Sequence, residues 1–172
     1  VAAFVTQLGE AFSGSGHEAA HLNTILGERD GPVGTAWATG LATPRKGHTP
    51  FVVAVQPGLA VKPFTLFVNK ATVESDEHAS LTWGPAQAGV AAGVLDAVAD
   101  GTVPVHLAEE LVLIAAVWLS AKAHDADAVY AFNRDATAAS LRAGAAARPA
   151  MGDLLAVREQ PFNAYWFAPS LR

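Results

Sequence analysis

His17-Glu18-Ala19-Ala20-His21 fits the pattern H-E-x-x-H. On a helix, positions i and i+4 stack one above the other, so two imidazoles would meet one zinc ion with the glutamate as general base. That chemistry needs the helix. Gly14 and Gly16 precede the first histidine, and "AHLNTIL", residues 20–26, mixes apolar and β-branched residues with short-period alternation, which reads as a strand. His17 then falls in the preceding turn and the paired-ligand geometry is lost. The elongated zinc pattern with a third histidine is absent, Asn23-Thr24 standing in its place. His48, His78, His106 and His124 are scattered along the chain. No metal is expected. Imidazole is the side chain whose ordinary pKa allows proton exchange near neutral pH, yet a lone strand histidine is as readily a satisfied core residue.

Other elements must position any such group. "GPVGTAWATGLATP" reads as a helix with Pro32 at its first position, ending by Pro44. "PFVVAVQPG" and "FTLFVNKATV" read as two strands separated by a Pro57-Gly58 turn. Ser75 offers an N-cap with Asp76 and Glu77 in the first turn. Gly84-Pro85 restarts the chain into "AQAGVAAGVLDAVADG", a helix stopped at Gly101. Pro104 suits the start of a short helix. The apolar run from Leu111 fits a buried strand or a buried helix. A long Ala-rich helix capped near Asp125 follows, and the tail "REQPFNAYWFAPSLR" reads as an extended, packed segment. Strands and helices mixed irregularly imply α+β.

At 172 residues the chain has room for one domain with a proper core. A net charge of -5 without a Lys/Arg cluster argues against nucleic-acid binding. The absence of cysteine excludes disulfides, thiolate metal sites and a cysteine nucleophile. No basic-then-apolar leader opens the sequence, and "LVLIAAVWLSA" is too short to span a bilayer, so no membrane association and a cytoplasmic location are expected.

"LGEAFSGSGHEAAHLNTILG", "PVGTAWATGL", "VKPFTLFVNKATV" and "WGPAQAGVAAGVLDAVADG" follow one another in that order. Together they resemble the formaldehyde-activating enzyme family, from about Leu8 to Ala146, with a divergent C-terminal extension from about residue 147. The resemblance implies a single domain over residues 1–172, with an α+β fold like ribosomal protein S5 domain 2: a mixed sheet packed with helices. It also implies a homopentamer, and it tips residues 111–119 toward a strand. The implied reaction is condensation of formaldehyde with tetrahydromethanopterin, the one-carbon acceptor, to the 5,10-methylene derivative and water, without a metal.

Under that resemblance His21 matches the catalytic histidine and His17 matches nothing functional. Lys70, Thr72 and Gln87 match pterin-contacting positions, and Val52 stands where the family uses Leu. Asn23 stands where the family has a pterin-binding Asp, and Phe64 where it tends to have Asn. A strand's two-residue period puts His21 and Asn23 on one face, and would do the same for Lys70 and Thr72. Gln87 would lie near a helix start whose free N–H groups favour polar ligand atoms.

Condensing an aldehyde with a diamine passes through a carbinolamine whose hydroxide leaves poorly. A positioned acid helps it depart as water, which is work for a histidine. Replacing Asp by Asn trades a hydrogen bond to a charged group for a neutral one, weakening the same ligand by roughly 1 kcal/mol or more. The alternatives are a diverged paralogue acting on another amine or reduced pterin, and a non-catalytic ring that binds pterin or formaldehyde.

Overall fold

The computed structural model describes residues 4–163 and 166–171. In chain order the elements are β1 (Gln7–Ser13), β2 (Ala20–Glu28), α1 (Pro32–Ala42), β3 (Phe51–Val52), β4 (Ala54–Gln56), β5 (Leu59–Ala60) and β6 (Phe64–Asn69). They continue with α2 (Asp76–Leu81), α3 (Gln87–Ala99), β7 (Leu111–Trp118), α4 (Ala126–Ala145), α5 (Met151–Ala156), β8 (Phe162–Asn163) and β9 (Trp166–Phe167). The main sheet runs β1-β2-β7-β6-β3, with β6–β7 parallel and the other pairs antiparallel. A mixed sheet with helices makes this a single α+β domain, as expected from the sequence.

Alternation along β2 sets the two faces of the sheet. Ala20, Leu22, Thr24 and Leu26 are buried, while His21, Asn23 and Ile25 are half-buried on the opposite face. The buried face meets α4, where the Thr24 and Ser140 hydroxyls hydrogen-bond at 2.8 Å. Each fully buried Leu there contributes on the order of 1.5–3 kcal/mol. α4 lies so close to β1 that a Cβ on Gly9 would sit 1.9 Å from the Ser140 carbonyl oxygen, a space only glycine leaves free. Two charged clamps, Arg134 on Asp96 and Arg142 on Asp100, join α3 to α4 at their exposed rims. On the other face α1 packs against β2, β7 and β6. Leu8 and Phe12 of β1 stay exposed on that face, 66% and 60%.

The ambiguous run is β7, paired on both sides. A central strand covered on both faces needs a continuous apolar run, which explains why its periodicity was uninformative. Pro32 opens α1, the Ser75 hydroxyl accepts from the His78 N–H at 3.1 Å, and Asp125 accepts from the Ala128 N–H at 3.0 Å. Pro104 precedes a short 3-10 turn, Val105–Leu107.

Four details differ from the sequence reading. β6 stops at Asn69, because the Asn69 amide donates to the carbonyls of Gly47 (2.7 Å) and Ala71 (2.9 Å) and turns the chain away. The Pro57-Gly58 turn joins β4 to β5, while β6 pairs with β3; Val53, buried, bonds to Thr65 and Val61 between them. Gly84-Pro85 does not break the chain. Thr82–Ala86 is a π-helical turn that carries α2 into α3, its wider spacing accommodating the N–H that Pro85 lacks. The tail, over its described residues, forms the short antiparallel β8–β9 pair and a 3-10 turn, Pro169–Leu171, with Phe162 and Trp166 exposed rather than packed; α5 precedes it. Among the described residues, no helix is long and apolar enough to cross a membrane.

Candidate active site

The H-E-x-x-H stretch straddles two elements. His17 and Glu18 lie in a 3-10 turn, Gly16–Glu18, while His21 lies on β2. Glu18 is engaged elsewhere, 3.1 Å from His124 Nδ1. Two imidazoles therefore do not share a helical face. Among the described residues no group of three or more His, Asp or Glu side chains could hold a metal ion.

His21 instead heads a row of polar groups across the half-open face of the sheet. Its Nε2 lies 2.9 Å from Oε1 of Glu10 on β1. Its Nδ1 lies 3.4 Å from Lys70 Nζ, and the same ammonium donates to Asn23 Oδ1 at 2.8 Å. The strands dictate this convergence. Glu10 pairs with Asn23, and Phe12 with His21, so Glu10 and His21 are diagonal neighbours on one face. Lys70 follows the last residue of β6, fixed by its N–H bond to the Val117 carbonyl at 2.7 Å, and reaches across β7 to β2. Ala116, paired with both Asn23 and Val68, is the small residue in that row.

Hydrogen supply assigns the imidazole tautomer. An ammonium only donates, so Nδ1 facing Lys70 is the acceptor and Nε2 carries the hydrogen given to Glu10. Burial pushes the Lys70 amine below its ordinary pKa, against the opposing pull of the Glu10 carboxylate. Asn23, being neutral, adds no charge to hold the ammonium.

Val52 and Gln87 lie in a different place. With Thr49, Phe51, Ala54 and Trp83 they line an open groove of about 460 Å³. The Gln87 side-chain Oε1 accepts from the Ala54 N–H at 2.9 Å, tying α3 to the strand end beside the groove. Phe51 stacks on Phe67, and Trp83 is 52% exposed at the groove's mouth. The free helix start expected near Gln87 does not exist, since the π-helical turn precedes it and the Gln87 N–H bonds to Gly84 and Thr82. Thr72 is held by His48: His48 Nδ1 donates to the Asn69 carbonyl at 2.9 Å, leaving Nε2 to accept from the Thr72 hydroxyl at 3.1 Å. Lys70 and Thr72 lie beyond the strand, so the shared face expected for them is not formed. Phe64 sits at the start of β6 under the Lys62 ammonium, 5.0 Å from its ring centroid.

His21, Asn23 and Lys70 are thus brought together, whereas Val52 and Gln87 line a groove that none of those three enters, and Thr72 is bonded to His48 instead. Glu10 is the residue the sequence reading missed. Its signal was its place in "QLGEAFS", where alternation puts Leu8, Glu10 and Phe12 on one face of β1.

Residues 8–165 match the sequence profile described as formaldehyde-activating enzyme. The chain is 41% identical over 154 residues to a protein of Methanosarcina barkeri named 5,6,7,8-tetrahydromethanopterin hydro-lyase, covering 90% of this chain and 86% of that one. It is 40% identical over 153 residues to a protein of Methanothrix thermoacetophila named bifunctional enzyme Fae/Hps, covering 89% of this chain but 39% of that one. Matched by the profile over most of its length and 41% identical to a relative that it covers to 86%, the chain belongs to the formaldehyde-activating enzyme family.

Proposed function

We propose that the chain is a hydro-lyase that condenses formaldehyde with tetrahydromethanopterin to 5,10-methylenetetrahydromethanopterin and water, with His21 as general acid and base. The seating of His21 between the Glu10 carboxylate and the Lys70 ammonium carries this reading. One ring nitrogen exchanges a proton while a carboxylate at the other offsets the charge of the imidazolium. A nitrogen of the acceptor takes up the carbon of formaldehyde, His21 gives a proton to the hydroxyl that departs from that carbon as water, and the second nitrogen closes the ring. Such general acid help is worth about 10²–10⁴-fold.

Asn23, Val52, Lys70, Thr72 and Gln87 are the proposed pterin contacts. Asn23 and Lys70 flank His21, and the apolar walls of the groove beside Val52 and Gln87 suit a flat heteroaromatic ring. Thr72 would exchange its bond to His48 for one to ligand. The separation of these two groups within one chain supports a site shared between copies. We take the protein as a ring-shaped homopentamer of subunits folded like ribosomal protein S5 domain 2, each one domain with a C-terminal extension from about residue 147, acting in the cytoplasm. The exposed Leu8 and Phe12, on the face that carries His21, support an interface there.

A second reading rests on Asn23. A neutral amide where a carboxylate is expected favours a related amine or reduced pterin as the acceptor. Protein added to formaldehyde and tetrahydromethanopterin should speed methylene formation over the spontaneous rate. No acceleration with the pterin shown to bind would contradict the first reading. Acceleration with another reduced pterin alone would favour the second.

A further inference from the structure

The Lys70 amine is aimed at the two groups best able to prepare it as a nucleophile. We propose that Lys70 takes formaldehyde first, as a covalent iminium, and hands the one-carbon unit to the acceptor amine, with His21 relaying the proton. This rests on formaldehyde being the carbonyl substrate, and it deepens that reading by assigning the atom that first captures it.

Three contacts converge on the Lys70–His21 pair. Lys70 Nζ is 3.4 Å from His21 Nδ1, the ring nitrogen that carries a lone pair. The far side of that ring faces Glu10 at 2.9 Å, so a proton moving from Nζ to Nδ1 creates an imidazolium already paired with a carboxylate. The remaining partner of Nζ is the amide oxygen of Asn23, at 2.8 Å, which orients the amine without holding it as an ammonium through a full negative charge. Burial further favours the neutral amine. A lysine desolvated beside a proton acceptor is the usual arrangement for carbonyl capture by an amine.

The protons balance. The Lys70 ammonium passes one proton to His21 Nδ1, leaving a neutral amine. Its lone pair forms the N–C bond while the carbonyl π pair moves to oxygen. A proton shifts from nitrogen to that oxygen, giving the carbinolamine. His21 returns its proton to the hydroxyl, the C–O bond breaks, and water leaves a protonated N=CH₂ group on Lys70. Ammonium and formaldehyde have become iminium and water, with charge unchanged. The first acceptor nitrogen then attacks the iminium carbon, its N–H proton passes to the Lys70 nitrogen, and Lys70 departs as the neutral amine as the C–N bond breaks. The second nitrogen closes the ring and its proton returns Lys70 to the ammonium.

The test is reductive trapping on the intact protein. Native protein is exposed to limiting formaldehyde and cyanoborohydride at neutral pH, and N-methylation is measured at each lysine. Lys70 should be methylated at least about 10-fold faster than Lys46, Lys62 and Lys122, and the trapped protein should lose turnover. Asn23→Asp, which adds a negative charge beside Nζ, should slow trapping at Lys70 and leave the other three lysines unaffected. Lys70→Arg keeps the cation and removes the nucleophile; it should bind pterin yet lose turnover. Trapping at Lys70 no faster than at the exposed Lys46, or wild-type turnover in Lys70→Arg, would overturn the proposal. Acceleration of the condensation without Lys70 trapping removes the covalent step and leaves the His21 reading standing. Selective trapping without acceleration by tetrahydromethanopterin supports Lys70 and removes that acceptor.

Discussion

Glu10 and His21 lie diagonally across the β1–β2 pair, and the Glu10 carboxylate meets His21 Nε2 at 2.9 Å while Nδ1 is left to face Lys70. The carboxylate fixes the ring's orientation and its tautomer, and it offsets the positive charge when His21 holds a second proton. Glu10→Gln keeps the shape and removes the charge. The difference between a charged and a neutral hydrogen bond is about 1.4 kcal/mol, so kcat should fall about 10-fold with little change in KM. Steady-state kinetics decide it; an unchanged kcat would reduce Glu10 to a surface partner.

Asn23, at the position where the resemblance implies a carboxylate, accepts from Lys70 Nζ at 2.8 Å. Restoring Asp at this position should tighten tetrahydromethanopterin binding by roughly 1 kcal/mol, about fivefold in Kd. Isothermal titration gives the answer directly. An unchanged Kd would mean that Asn23 does not set the preference for the acceptor.

The His21 group and the groove at Val52 and Gln87 are separate in one chain. If a ring of copies unites them, His21→Ala and Gln87→Ala subunits should each be impaired alone and regain part of the activity in mixed rings. Recovery after subunit exchange is the measurement. Mixed rings no more active than their parents would place the whole reaction within one copy.

Asp100 supplies a pH signature at the α3–α4 clamp. The Thr102 hydroxyl and backbone N–H, together with Arg142, hold its carboxyl down at about 2, against an ordinary value of 3.8. The native state therefore binds this proton later than the unfolded chain, so the stabilisation is present above the ordinary value and is lost as pH falls toward about 2. Asp100→Asn should lower the denaturation midpoint at neutral pH, and the gap from wild type should close across that acid window. A gap independent of pH would show that the clamp does not act through charge.

How much of this was legible in the sequence depended on whether a local rule governed the residue. His21 read correctly as a strand residue because Gly14 and Gly16 and the alternation after them are short-range signals. Ser75, Pro32 and Asp125 were legible for the same reason. The end of β6 was hidden, since it depends on the Asn69 amide finding the Gly47 carbonyl, a partner remote in sequence. Gly84-Pro85 reads as a break, yet packing carries the chain through it as a π-helical turn. Glu10 could be placed on a face of its strand, but its meeting with His21 required the β1–β2 register, which is a tertiary fact. The reach of Lys70 over β7 was hidden likewise, because it depends on strand order and on Ala116 in between.

In the proposed reaction His21 moves the proton that lets hydroxide leave as water. The direct measurement is the enzyme-dependent rate of methylene formation from formaldehyde and tetrahydromethanopterin in wild type and His21→Ala, at saturating pterin and with pterin binding measured alongside. The rate should fall about 10²–10⁴-fold in His21→Ala with binding retained. A variant that binds pterin and turns over at the wild-type rate would contradict it.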